Sequence, residues 1–192
     1  MTSSDVFRRA VEHLERAGIP HMLTGSFASS FHGAPRATQD IDLVIAPTPQ
    51  QLRTLLRDLP DTQYYASLDA ALDAHRHQSQ FNIIDLATGW KVDLIIRKSR
   101  PFSIAEFERR MPVDVHGVRL FIARAEDVVL SKLEWAKSAQ SQRQLQDVAA
   151  LLKARLADLD RAYVDRWVHD LGLTKEWKQA CRLAGIPDQG GS

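Results

Sequence analysis

Two aspartates inside an otherwise apolar run constrain this chain more than any other feature. The run is Gln39-Asp40-Ile41-Asp42-Leu43-Val44-Ile45. Ile41, Leu43 and Ile45 recur at the two-residue period of a strand, whose successive side chains point to opposite faces. A hydrophobic core takes the face with these three. Asp40 and Asp42 then emerge together on the other face. Two carboxylates this close repel unless something positive sits between them. A divalent metal is the simplest candidate.

The strand belongs to a longer unit, His21 to Pro47, that reads as strand, Gly-Ser break, short helix, basic turn and strand. His21 to Thr24 is the first strand. Gly25 allows a tight turn or a close backbone approach. Ser26 to Phe31 is a short helix, and His32-Gly33-Ala34-Pro35 is a loop. Upstream, residues 5 to 17 form an amphipathic helix, with Gly18 placed to end it. Downstream, Thr48-Pro49-Gln50-Gln51 has the pattern of a capped helix start, with Pro49 at the first helical position and Gln51 completing a capping box. Its buried stripe is Leu52, Leu55, Leu56 and Leu59. A further short helix is expected over 67–74.

Phe81 to Leu86 and Trp90 to Ile96 read as a hairpin around Ala87-Thr88-Gly89, and Val113 to Val115 with Val118 to Ile122 as a second around His116-Gly117. Asp93 interrupts the apolar strand VDLII. Between the hairpins, Ser103 and Glu106 have capping-box spacing and Phe102 with Phe107 staple spacing, so a helix is expected from about Ile104 to Arg110. From Ala125 the pattern is helical only, with four helices and a frayed end at Pro187 to Ser192. The expected division is an α/β core over 1–123 and a helical part over 124–192 packed on it.

Composition narrows the function class. The chain has 192 residues and is 44% hydrophobic, enough for a real core. Net charge is +1, so no global charge favours nucleic acid, although a local patch still could. A single cysteine, Cys181, rules out an internal disulfide and suits a reducing compartment. No stretch is long and apolar enough to span a membrane, and the N-terminus lacks the apolar segment of a signal peptide. A soluble cytoplasmic protein is expected.

Asp40, Asp42 and Asp93 interrupt strands with hard oxygen donors. Phosphoryl and nucleotidyl transfer use such clusters to hold Mg²⁺ (or Mn²⁺) against substrate phosphates. Gly25-Ser26, opening a helix, would offer backbone N–H groups and a hydroxyl to a phosphate. Arg36 and Thr38 lie just before the aspartate pair, and Arg36 could fork onto a phosphate or an acidic group. Lys132 falls beside the apolar stripe of SKLEWAK, where a lysine either snorkels to water or reaches into a cleft. Asp147 is ambiguous by itself. His32, His75, His77 and His116 lack a convincing metal-ligand spacing; His75-x-His77 could be a ligand pair on a strand, but reads rather as a solvated loop. Trp90, Trp135, Trp167 and Trp177 read as packing residues. There is no P-loop, Rossmann glycine pattern or nucleophile elbow.

The stretch TGSFASSFHGAPRATQDIDLVI resembles the signature of the DNA-polymerase-beta-type nucleotidyltransferase superfamily: Gly-Ser, a spacer, Asp-x-Asp, and a third Asp on a later strand. The spacer is somewhat long. It is similar to that of the AbiEii-like toxins among minimal bacterial nucleotidyltransferases, which ARAEDVVLSKLEWAK and RQLQDVAALL also resemble. The resemblance covers about residues 19 to 152. It implies an α+β fold, a nucleotidyltransferase-like mixed β-sheet with flanking helices and a helical C-terminal part. It implies that Asp40 and Asp42 bind metal and triphosphate, and that Asp93 completes the metal site and helps deprotonate the acceptor hydroxyl. Gly25 and Ser26 would cradle phosphates, with Arg36 and Thr38 nearby. Lys132 would contact nucleotide phosphate and Asp147 would orient it or close the site. Many relatives have Gly-Gly where this chain has Gly25-Ser26.

The expected reaction is Mg-dependent transfer of a nucleoside monophosphate from an NTP to an acceptor hydroxyl. By resemblance the acceptor is RNA, such as a tRNA 3′ end, and the partner a cognate antitoxin protein. A protein side chain is a second acceptor. One rival is modification of a small molecule such as an aminoglycoside, which a deep acidic pocket would favour. A basic rim including Arg97, Lys98 and Arg100 would favour RNA. The other rival is a catalytically inactive nucleotide-binding regulatory module.

Overall fold

A computed structural model describes residues 3–115 and 117–187. The chain divides into two compact units: 1–27 with 37–123, and 28–36 with 124–192. The segment 28–36 therefore groups with the C-terminal helices rather than with its sequence neighbours.

The first unit is built on one mixed sheet. Its strands are β1 (His21–Leu23), β2 (Asp40–Ile45), β3 (Tyr64–Tyr65), β4 (Gln80–Asp85), β5 (Lys91–Ile96), β6 (Met111–Val115) and β7 (Val118–Ile122), in the spatial order β3-β4-β5-β2-β1-β7-β6. β1 runs antiparallel to β2 but parallel to β7, and β2 runs parallel to β5. The hairpins β4/β5 and β6/β7 are antiparallel, as the turn signals predict. Asp85 holds the first turn: its Oδ1 accepts from the main-chain N–H groups of Ala87 and Thr88 and from the Thr88 hydroxyl, while Arg9 pairs with Oδ2. His116, at the second turn, lies outside the described residues. Pro112 has no N–H to give a ladder, and it sits on the edge strand β6, where that costs least. The two-residue strand β3 was not anticipated, because two residues carry no period.

One face of the sheet is apolar. Ile41, Leu43, Ile45, Val92, Leu94 and Ile96 are each at most 4% exposed. Helices α1 (Ser3–Arg16) and α3 (Pro49–Arg57) share a cavity wall with this face, where Val6, Leu14 and Leu55 meet Ile83, Val92 and Leu94. Removing such a side chain from water contributes about 1.5–3 kcal/mol. Both halves of the α3 capping box are made: Gln51 N donates to Thr48 Oγ1 at 3.2 Å, and Gln51 Oε1 accepts from Thr48 N at 2.8 Å. Leu52 and Leu55 are fully buried, but Leu56 only half.

Between β1 and β2 runs the short helix α2 (Gly25–Phe31), and between β3 and β4 runs α4 (Leu68–His77). His75 and His77 lie in the last turn of α4, not in a loop, and point to different sides; His75 Nε2 meets the Pro47 carbonyl at 3.2 Å. Helix α5 spans Pro101–Glu108, three residues ahead of the expected start. The expected capping box there is wrong. Pro101, with its fixed φ, takes the first helical position and moves the cap back to Arg100. Ser103 is thus inside the first turn, buried, and accepts from Arg100 Nε at 3.0 Å.

The second unit contains four longer helices: α6 (Ala125–Ala139), α7 (Gln142–Arg155), α8 (Arg161–Asp170) and α9 (Thr174–Ala184). Their core includes Val129, Leu133, Val148, Leu152, Val164 and Ala180. Trp167 and Trp177 pack as expected, whereas Trp135 is 52% exposed and is not a packing residue. Residues 188–192 of the expected frayed end lie outside the described residues. No helix among the described residues is long and apolar enough to cross a membrane.

Candidate active site

The face of the sheet opposite Ile41 and Leu43 carries the acids. Asp40 pairs with Lys91 and Asp42 with Asp93 across the parallel β2/β5 ladder. Directly paired residues point to the same side, so Asp40, Asp42, Lys91 and Asp93 share one face. The Lys91 ammonium stands between Asp93 and Asp40. Its Nζ stands 2.9 Å from Asp93 Oδ2 and 3.6 Å from Asp40 Oδ1. The hydrogen bond to Asp93, with the charges of Asp93 and Asp40, raises the Lys91 pKa above its ordinary 10.5 despite partial desolvation.

Gly25 is shaped around Asp42. Its φ is +63°, and a Cβ built on it would fall 1.9 Å from Asp42 Oδ2 and 2.5 Å from Asp42 Cγ. The Asp42 carboxylate thus occupies the space that any other residue would fill at the start of α2. The Thr24 N–H donates to the Asp42 carbonyl at 2.9 Å, which ties β1 to this point. Thr38 is spent on the main chain: its hydroxyl accepts from Asp40 N at 3.1 Å.

The metal fit can be judged from these contacts. The donors are hard carboxylate oxygens, and a cation already stands between two of them. Chemistry and register therefore suit a hard divalent ion. The oxygens are gathered by Lys91 rather than by one another: among the described residues no three His, Cys, Asp or Glu side chains stand close enough to hold a metal ion.

The remaining predicted residues meet within the second unit. Asp147 Oδ2 accepts from Arg36 Nη1 at 2.6 Å and from Lys132 Nζ at 2.8 Å. Lys132 also donates to Gln144 Oε1 at 3.2 Å, and the Arg36 N–H donates to Ser30 Oγ at 3.2 Å. The Lys132 side chain is 6% exposed, so it is buried in this ion pair rather than snorkelling to water.

No described protein family matches the sequence, and no curated protein matches it significantly. The backbone does find relatives. It is similar to an antigenic nucleotidyltransferase-like protein from Paracoccidioides brasiliensis, with a TM-score of 0.57 at 13% identity over 93% of this chain and 91% of that one. The chain has a nucleotidyltransferase-like fold. The lincosamide antibiotic adenylyltransferase LnuA, in its lincomycin-bound form, shares it with a TM-score of 0.51 at 13% identity, over 79% of this chain and 96% of that one.

Within this nucleotidyltransferase-like fold, Lys91 and Gln144 are polar neighbours of the predicted residues that are absent from the sequence prediction. Lys91 was within reach, because it stands two residues before Asp93 and the period that pairs Asp40 with Asp42 pairs it with Asp93. Gln144 gave no signal. The Arg36–Asp147 contact spans 111 residues and is invisible to any local pattern.

Proposed function

We propose that this protein is a Mg²⁺-dependent nucleotidyltransferase that moves a nucleoside monophosphate from an NTP to an acceptor hydroxyl and releases pyrophosphate. The observation that carries the reading is the registered pairing of Asp42 with Asp93, and of Asp40 with Lys91, on one face of β2 and β5. Asp40, Asp42 and Asp93 would hold the metal, which when bound supplies charge neutralisation at the phosphates. Lys91, whose side chain is 37% exposed, would swing toward solvent as the ion or the triphosphate arrives. Asp93 would accept the proton of the acceptor hydroxyl. Gly25, lacking a side chain, lets Asp42 lie against the start of α2, and Ser26 there would add a hydroxyl to a phosphate. In the helical unit, Lys132 and Arg36 are the cations that would meet nucleotide phosphate, with Asp147 orienting both.

The acceptor we propose is RNA, as in the AbiEii-like toxins that the sequence resembles. A toxin role would bring an antitoxin partner; if expression of the chain alone leaves growth unchanged, that role is lost. Likeness of fold to LnuA favours a second reading, an antibiotic-like small molecule as acceptor. The deciding experiment measures Mg²⁺-dependent incorporation of each labelled NTP into total RNA, protein and small-molecule acceptors by wild type and Asp42→Ala. Incorporation by wild type alone supports the transfer reading. No incorporation with any NTP overturns it.

A further inference from the structure

Four side chains of the first unit form an alternating stack of cations and rings. The Arg97 guanidinium lies 5.7 Å from the Phe107 ring centre, Arg110 lies 4.2 Å from the same ring, and Arg110 lies 4.9 Å from the Phe121 ring. Phe107 is 5% exposed, whereas Phe121 is 40% exposed. Ring faces attract guanidinium groups and make such a stack tolerable. They do not cancel its charge. Arg9 and Arg36 are each matched to a carboxylate, Asp85 and Asp147. Arg97 and Arg110 have no carboxylate partner among the described residues, and Arg110 donates only to the Phe107 carbonyl, at 2.5 Å. Their Nε atoms are buried without an acceptor, as are those of Arg9 and Arg36, so the difference lies in the missing carboxylate. Burial and the neighbouring Arg97 lower the Arg110 pKa. A pair of guanidiniums left this way is stabilised by an anion.

The placement says which anion. Arg97 extends β5, its N–H donating to the Ile45 carbonyl at 2.8 Å. By alternation it follows Lys91, Asp93 and Ile95 on the acidic face, about 13 Å along the strand from Asp93. Phe121 reaches the same face through the register Leu23↔Ile122 and Met22↔Val44. A phosphodiester chain can meet two guanidiniums and rest a base on an exposed ring, which is how single strands are bound without sequence preference. We infer that the Arg97–Phe107–Arg110–Phe121 stack is a binding site for the backbone of single-stranded RNA, on the sheet face that carries the proposed transfer chemistry. The inference rests on that reading only for what the RNA is there to do.

The test is binding of a labelled oligouridylate by fluorescence anisotropy, without NTP or divalent ion, as salt is varied. Arg97→Gln/Arg110→Gln should weaken binding at least about tenfold and flatten the slope of log affinity against log salt by about 1.4, at roughly 0.7 per lost phosphate contact. Phe121→Ala, at an exposed position that should not threaten folding, should cost about tenfold through lost stacking. Arg57→Gln, at an exposed arginine paired with Asp58, should change nothing. Unchanged affinity and slope in both the double variant and Phe121→Ala overturn the site. Equal loss in Arg57→Gln, or equally tight wild-type binding of polyglutamate, overturns it as well. Asp42→Asn separates the two ideas. If that variant and wild type both fail to transfer nucleotide yet bind oligouridylate, the transfer reading falls and the RNA site stands.

Discussion

The acidic face of β2 and β5 and the half-buried triad of the helical unit use the same charges in opposite proportion. On the strands, Asp40 and Asp93 share one lysine, Lys91, whose side chain is 37% exposed, with Asp42 on the same face. In the helices, Arg36 and Lys132 share one acid, Asp147, whose side chain is 15% exposed. The first holds its shared cation at a half-exposed position, and the second holds its shared acid at a more buried one. Burial sets how much each costs to disturb: exposed pairs contribute about 0–1 kcal/mol, whereas removing one partner of a buried pair costs about 3–5 kcal/mol.

The largest expected effect is on activity. Asp42→Asn should lower nucleotide transfer at least about a hundredfold, on the scale of losing one preorganised electrostatic contact, with an unchanged circular dichroism spectrum. An equally large loss of fold would reduce Asp42 to a structural residue. Asp147→Ala comes next, with about 3 kcal/mol of stability lost in urea denaturation, because it removes the acid that Arg36 and Lys132 share. A loss below about 1 kcal/mol would erase the contrast between the regions.

Gly25→Ala should cost about 1–3 kcal/mol, because a Cβ at φ +63° would also collide with the Asp42 carboxylate. Its stability loss should be accompanied by a fall in transfer. Lys91→Met should be the mildest, about 0–1 kcal/mol, while tightening Mn²⁺ binding measured by electron paramagnetic resonance. Weaker Mn²⁺ binding would make Lys91 a support of the site instead of an occupant. The sign of its pH dependence follows from the raised pKa. Its ion pairs contribute fully below about 10.5, the ordinary lysine value, and are lost as pH rises through the higher folded value. The stability difference between wild type and Lys91→Met should therefore hold from neutral pH to about 10.5 and vanish above the folded value.

Local patterns were legible wherever one residue spacing sufficed. Period two put Asp40 and Asp42 on one face, and Thr48-Pro49-Gln50-Gln51 announced its capping box. The helix at Phe102 begins three residues before the Ser103–Glu106 spacing predicts, because the fixed φ of Pro101 outweighs that spacing. Arg110 lies thirteen residues beyond Arg97 and eleven before Phe121, with a helix and a strand between, so their stack had no sequence signal.

Strand order was beyond the sequence. Hairpins β4/β5 and β6/β7 follow from short turns, but the insertion of β2 beside β5 and of β1 beside β7 depends on crossovers of many residues. The sequence by itself determined that two aspartates share a face and that Asp93 interrupts a strand, because side-chain direction along a strand is fixed by backbone geometry. Only the tertiary structure decided that Asp42 stands opposite Asp93, that Lys91 lies among the acids, and that Arg36 meets Asp147. Those contacts join residues whose separation along the chain carries no periodic signal, and they are selected by packing of the whole sheet and of the helices.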